Sequence, residues 1–355
     1  MAKVLMKGNE VIAEAAIQSG CKYFFGYPIT PQSELVAYMA KRLPEVDGLF
    51  LQAESEIAAI NMVYGAASAG VRVMTSSSSP GFSLKQEGIS FLAGAELPAV
   101  LVNIARGGPG LGNIQPAQSD YFQVTKGGGH GDYYTPVLAP STLQEVVELT
   151  QVAFYLADKY RTPVILLGDG MLGQMMEPVE FASIDFTEAF PKKDWATTGT
   201  RGDGPPRVIS SLELNDVNLE NHNKKLQAKY SEIKCQEVRV DSYLADDADY
   251  FVVAYGTVSR IAKNAIDAAR QKGIKIGMIR PITLWPFPEQ AFIERKDKAK
   301  GYLVVEMSAG QMVEDVRLAV NGTAPVTFFG RTGGVIPSHL EIYDAIMNVA
   351  GGELV

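Results

Sequence analysis

Cysteine is almost missing: only Cys21 and Cys235 occur among 355 residues. Two thiols so far apart form no disulfide framework, and an iron–sulfur cluster takes about four thiolates, so any redox cluster belongs to another chain. Histidine is nearly as scarce, with three residues, and no His/Cys/Asp run has metal-ligand spacing. Basic clusters are lacking too. The net charge is −8 and Lys and Arg gather nowhere, which argues against nucleic acid or an anionic membrane as a partner. No apolar run reaches the roughly 18 residues of a membrane span. The N-terminal MAKVLMKGNEVIAEAAIQSG interrupts its apolar residues with Asn9, Glu10 and Glu14, unlike a secretory leader, which predicts a cytoplasmic protein. Nucleophile-elbow and P-loop patterns, short-period repeats and low-complexity tracts are also absent.

What is present is an alternation of buried strands and helices. YFFGYP, GLFLQAE, VRVMTSSSS, AVLVNIARGG and TPVILLGDG are short apolar runs separated by helix-like segments. Continuous apolar strands of this kind predict a doubly wound parallel α/β sheet covered on both faces. The length favours two domains. We place the first at 1–187, a partly helical connector at 188–237 (TGTRGDGPPR, then NDVNLENHNKKLQAKYSEIKC), and a smaller α/β domain at 238–355. Open α/β sheets bind ligands beyond the carboxyl ends of their strands. The functional loops are therefore expected at YPITPQSE, SSSSPGFS and ARGGPGLGN.

Each loop offers chemistry. Thr30 lies between Pro28 and Pro31, whose fixed φ angles stiffen the loop and present its hydroxyl. It suits either ligand contact or the N-cap of the next helix with Pro31 at N1, and the two are compatible because a helix start attracts a carboxylate. Glu54 and Glu56 open a helix whose run IAAINMVYGAASAG is apolar on nearly all sides. Two acids there complement the helix dipole, but a carboxylate at the mouth of a buried helix also suits proton transfer. Arg106 ends the strand AVLVNI before a glycine-rich loop that lets a ligand approach the backbone. Its guanidinium matches a carboxylate in two places, with a structural ion pair as the plain alternative. Ser76 to Ser83 supplies hydroxyls at a third strand end, equally consistent with a turn.

Taken together, GYPITP, ESEIAAI followed by GAASAG, MTSSSSPGFSLKQE, ARGGPG and HGD resemble the pyrimidine-binding subunit of 2-oxoacid:ferredoxin oxidoreductases, nearest to the 3-methyl-2-oxobutanoate type. The likeness runs over nearly the whole chain. It implies a thiamine-diphosphate pyrimidine-binding domain followed by a transketolase C-terminal-like domain. Carried across, it makes Glu56 the catalytic carboxylate that hydrogen-bonds the aminopyrimidine, in preference to Glu54, which lacks the family's spacing to Tyr64-Gly65. Thr30 and Arg106 match substrate-carboxylate contacts, while Pro28, Ile29, Ser79 and Pro80 fall at cofactor-contact positions.

Gly168-Asp169-Gly170 imitates the start of a diphosphate–Mg²⁺ motif, but the region where the paired Asn should follow, PKKDWATTGT, has none. We read it as a structural strand end and expect no metal ligand on this chain. The resemblance then implies that a diphosphate-binding subunit holds Mg²⁺, and that gamma and ferredoxin-like subunits carry the iron–sulfur clusters. The same resemblance implies coenzyme A as the co-substrate and an external ferredoxin as the acceptor. Other oxoacids, 2-oxoglutarate or pyruvate, remain open, as does a non-catalytic scaffold. A second substrate carboxylate would need a further cation, for which Lys126 and Arg331 are the candidates. His130 reads as interface or pocket wall, His222 as solvated and His339 as structural, while Arg280, Glu306 and Arg331 to Gly334 lie at strand ends of the second domain.

Overall fold

The computed structural model of the chain describes residues 3–186, 191–199 and 206–351; the expected 187/188 boundary and most of the TGTRGDGPPR loop lie outside them. The first half runs β1 (Val4–Lys7), α1 (Gly8–Gln18), β2 (Tyr23–Gly26), α2 (Ser33–Glu45), β3 (Leu49–Gln52), α3 (Glu56–Ser68), β4 (Val73–Ser77), α4 (Ser79–Ser83), α5 (Gln86–Gly94) and β5 (Ala99–Ala105). It continues with α6 (Tyr121–Thr125), β6 (Val137–Leu138), α7 (Leu143–Tyr160), β7 (Pro163–Asp169), α8 (Gly170–Gln174) and β8 (Met176–Val179). The polar helix α9 (Asp216–Gln236) links these to β9 (Val240–Tyr243), β10 (Tyr250–Val253), α10 (Gly256–Gln271), β11 (Ile276–Pro281), β12 (Thr283–Trp285), α11 (Glu289–Ile293), β13 (Gly301–Glu306), α12 (Met312–Val320), β14 (Val326–Gly330) and α13 (His339–Gly351).

Seven strands form the larger sheet in the order β12-β6-β7-β5-β4-β2-β3, parallel except for β12 at one edge. All seven residues of β5, AVLVNIA, are buried, as a central strand covered on both faces requires. Five strands form the second sheet, β14-β13-β10-β11-β9, with only β9 antiparallel. β1 and β8 pair separately as a short antiparallel ribbon.

The two sheets interlock. β12 comes from the C-terminal half of the chain yet completes the edge of the N-terminal sheet against β6. Gln118 bonds Met307 through both its backbone and its side chain, and its amide also donates to the Tyr255 carbonyl. One hydrophobic core accordingly contains Val102 and Leu166 together with Phe251 and Tyr302. α9 lays Leu226, Tyr230 and Ile233 onto this body, where Tyr230 meets the stacked pair Tyr134 and Trp285.

Two local expectations are corrected. Thr30 does not cap α2: that helix starts at Ser33 with Gln32 as its N-cap, and Thr30 is exposed one turn earlier. α3 is not buried all round, because Ile57, Asn61 and Gly65 lie on an open face, and its N-cap is Ser55, which accepts from the Ala58 amide. Apolar composition alone does not say which side of a helix meets the sheet.

Candidate active site

β2, β4, β5 and β7 end at Gly26, Ser77, Ala105 and Asp169, and the loops singled out in the sequence leave from these ends. Opposite them stand the loops after β13 and β14. Between the two sheets lies a cavity of about 600 Å³, walled by Ser79, Pro80, Arg106, Gly107 to Gly110 and Asp120 on one side and by Met307, Ser308, Gln311, Thr332 and Gly333 on the other.

Arg106 is buried and held by backbone. Its Nη1 donates to the Thr30 carbonyl at 2.8 Å, Nη2 to the Leu111 carbonyl at 3.4 Å, and Nε has no partner among the described residues. Thr30 and Arg106 thus meet, but through the main chain of Thr30, leaving its hydroxyl outside the contact. Ser79 sits at φ 22, in the left-handed region that side chains rarely adopt. Three bonds hold it there: its N–H donates to Asn103 Oδ1 at 3.1 Å, its hydroxyl donates to Asp120 Oδ2 at 2.6 Å, and that hydroxyl accepts from the Arg106 amide at 2.9 Å. Asn103 Nδ2 donates to the same Asp120 oxygen at 2.9 Å. Burial raises the Asp120 pKa, against the lowering effect of the Ser79 and Asn103 bonds and the Arg106 charge. Pro80 follows at the start of α4.

Glu56 does not line the cavity. It is buried at the start of α3 and reaches α4 at Gly81, where a Cβ would lie 2.3 Å from both Glu56 Oε1 and Ser77 Oγ. Only glycine lets α4 close onto the carboxylate. Glu54 is exposed outside the helix. Pro28 is exposed and Ile29 half-buried on the loop after β2, so both stand at the same sheet edge without reaching the cavity. Near Glu56, the end of β4 is polar yet wholly buried: Thr75, Ser76, Ser77 and Ser78 have no exposed surface. Ser76 donates to Gln32 Oε1 at 2.6 Å, and Lys85 Nζ donates to Thr75 Oγ1 at 3.0 Å.

Four buried polar atoms in this region, Gln32 Nε2, Ser77 Oγ, Ser78 Oγ and Arg106 Nε, have no hydrogen-bond partner among the described residues. Each such orphan costs about 1–3 kcal/mol, so their concentration at one strand edge fits a site that a polar ligand completes. Sequence inspection missed Gln32, Asn103, Asp120 and Lys85. Asn103 carried the one usable signal, a lone amide inside an apolar strand. Lys85 in GFSLKQEGIS looks like any surface lysine until the fold buries it against Thr75 of β4.

The remaining candidates have other duties. Asp169 is buried, accepts from the Met171 and Leu172 amides at 2.8 and 3.0 Å, and takes the Thr257 hydroxyl from α10. Among the described residues no group of three His, Cys, Asp or Glu is arranged to hold a metal. Glu306 is buried and accepts the amides of Gln311, Met312 and Val313 at the start of α12, and burial raises its pKa. Arg280 pairs with Glu145 at 2.7 Å. Lys126 is paired with Asp315, and Arg331 with Glu341 at 3.0 Å. His222, expected in solvent, is half-buried with Nε2 2.8 Å from the Gly94 carbonyl, because α9 packs on that turn. His130 is exposed at the rim of a separate cavity of about 240 Å³, and His339 begins α13.

A profile described as the thiamine-diphosphate-binding domain of pyruvate flavodoxin/ferredoxin oxidoreductases matches residues 14–240, and one for core domain II of pyruvate:ferredoxin oxidoreductase matches 248–342. The chain is 51% identical over 351 residues to the ketoisovalerate oxidoreductase subunit VorB of Methanothermobacter thermautotrophicus, covering 99% of both. It is 38% identical over 353 residues to the 2-oxoglutarate synthase subunit KorA of Archaeoglobus fulgidus, again covering 99% of both. The 2-oxoglutarate:ferredoxin oxidoreductase of Magnetococcus marinus, solved with 2-oxoglutarate, coenzyme A and succinyl-CoA bound, superposes with a TM-score of 0.86 at 26% identity. That superposition covers 98% of this chain and 65% of the other, so this chain spans just under two thirds of its length. A split-gene transketolase, as an inactive beta4 tetramer, shares the fold with a TM-score of 0.63 at 14% identity, over 98% of this chain and 99% of the other.

Proposed function

The chain belongs to the pyruvate flavodoxin/ferredoxin oxidoreductase family, as a subunit of a thiamine-diphosphate-dependent 2-oxoacid:ferredoxin oxidoreductase, and from that premise we infer what its site does. The complete enzyme, active with partner subunits, converts 3-methyl-2-oxobutanoate and coenzyme A to isobutanoyl-CoA and CO₂, passing two electrons to ferredoxin. The observation that carries this substrate is the 51% identity over 99% of both chains to a ketoisovalerate oxidoreductase subunit. The site's chemistry agrees with it. Lys126 and Arg331 are both occupied by carboxylates of this chain, and Arg106 is the cation among the residues walling the cavity. One substrate carboxylate is thereby provided for, while Pro80, Ala117, Met307 and Ala309 suit an apolar branch.

Bound thiamine diphosphate supplies the carbon nucleophile and the electron sink for decarboxylation. On this chain, Glu56 holds and exchanges a proton at the pyrimidine ring, and Gly81 is what lets α4 press against that carboxylate. Gln32, Ser77 and Ser78, whose buried polar atoms lack partners among the described residues, would help hold the pyrimidine, together with Pro28, Ile29, Ser79 and Pro80. Arg106 Nε and the Thr30 hydroxyl orient the substrate carboxylate. The diphosphate and Mg²⁺ belong to a separate diphosphate-binding subunit. Gamma and ferredoxin-like subunits carry the iron–sulfur clusters that pass electrons to external ferredoxin. The work is cytoplasmic, where coenzyme A is drawn and acyl-CoA used.

The test is to purify the native complex and follow viologen reduction with 3-methyl-2-oxobutanoate, 2-oxoglutarate and pyruvate, each with coenzyme A and thiamine diphosphate. Preference for the branched acid is expected. Preference for another acid would overturn the substrate and keep the mechanism, and silence with all three would leave a scaffold. In the same assay Glu56→Gln is expected to lower turnover by about 10²–10⁴-fold with assembly intact, since only the exchangeable proton is lost.

A further inference from the structure

Lys85 is a charged side chain with no exposed surface. It caps α5 by position, just after α4, and its stem passes into the interior, where its ammonium donates to Thr75 Oγ1 at 3.0 Å. Thr75 and Ser77 are two apart on β4, so their side chains share a face of the strand. Ser77 Oγ and Glu56 Oε1 are both 2.3 Å from the place a Cβ would take on Gly81. The ammonium and the carboxylate therefore stand over one face of β4, the ammonium at Thr75 and the carboxylate beside Ser77 and Gly81. Glu56, from α3, is the charged side chain whose field reaches Lys85; Thr75 brings only a hydroxyl from β4, and Glu87 on α5 lies in solvent.

An ammonium buried without a carboxylate in direct contact is costly, and an apolar side chain of the same length would serve packing better. We propose that Lys85 is a positioning residue for Glu56: a buried counter-charge to the carboxylate that exchanges a proton with the pyrimidine. This rests on the reading of Glu56 given above. A positive charge near a carboxylate favours its ionised form over its protonated one. Burial brings the lysine itself down to about 7, with the Glu56 charge working against that shift, so the counter-charge strengthens as the medium turns acidic.

The measurement is hydrogen–deuterium exchange at the thiazolium C2 of thiamine diphosphate bound to the assembled complex, by acid quench and proton NMR, from about pH 5 to about pH 9. It reads the proton transfer without substrate or turnover. Lys85→Met is expected to move the acid-side midpoint of the exchange rate upward by about one pH unit or more. Lys85→Gln, which keeps a donor for Thr75 and lacks the charge, is expected to move it likewise, and stands in if Lys85→Met does not assemble. In a Glu56→Gln background neither change at Lys85 should alter the profile. If Glu56→Gln slows exchange but the Lys85 variants follow the wild-type curve, the role of Lys85 is overturned and that of Glu56 stands. If Glu56→Gln exchanges at the wild-type rate, the reading of Glu56 falls first, and the proposal with it.

Discussion

Gly81 shows how a single missing atom shapes the site. Its φ is unremarkable, so what matters is space, with a Cβ meeting Glu56 Oε1 and Ser77 Oγ at 2.3 Å. Alanine there would force α4 or the carboxylate to move by tenths of an ångström or more. Proton transfer is steep in distance, and we expect Gly81→Ala to lower kcat by about tenfold or more while the complex still assembles, checked by the viologen assay beside size-exclusion chromatography. Arg106 is a second case. Its Nη atoms are fixed to backbone carbonyls and its Nε is buried without a partner among the described residues, an arrangement that an ammonium cannot copy. Arg106→Lys is expected to raise KM for the oxoacid by about 10–100-fold with a smaller change in kcat. An unchanged KM would remove Arg106 from substrate binding.

At the scale of elements, Asp169 ties a strand to two helices. It ends β7, caps α8 through two amides, and takes the Thr257 hydroxyl from α10 of the other sheet. Burial raises its pKa, opposed by these same bonds. Asp169→Asn keeps the shape but weakens the acceptor, and should cost about 1–3 kcal/mol, seen as a lower melting temperature of the complex. The Mg²⁺ concentration needed for half-maximal activity should not change; a higher requirement would make Asp169 a metal ligand. The same element scale explains two of the departures from what the sequence predicts. Gln32 displaces Thr30 as the cap of α2 because α2 starts beyond the proline-bounded loop. α3 keeps one side open because only its Ala59, Ile60, Val63 and Ala67 face meets the sheet and α5.

For the whole molecule, Lys85 makes stability depend on pH. Its pKa in the folded chain is about 7, below its ordinary 10.5, so between those values the unfolded chain binds more protons. Stability then rises with pH across that window, and the full penalty is present below about pH 7. Lys85→Met is expected to raise the melting temperature of the complex at about pH 6, a gain on the order of a few kcal/mol that fades toward about pH 10. Calorimetry at the two pH values checks this, and a variant less stable at both would mean that the lysine stem is held mainly by packing. A residue that weakens the fold at the pH where it serves the site is the trade between stability and activity expected of functional positions.

Several features of this protein are determined by the sequence alone. Continuous apolar strands ending in Gly, Ser or Thr dictate a parallel sheet covered on both faces, and the strand ends dictate which edge carries polar loops, because period and burial are local properties. Only the tertiary structure decided the rest. That Thr283–Trp285 completes the first sheet, that Thr30 meets Arg106 through its carbonyl, and that Lys85 is sealed against Thr75 each depend on elements converging in space. Burial of a charge is set by what closes over it, and no local pattern around Lys85 records that it will be sealed against Thr75 of β4.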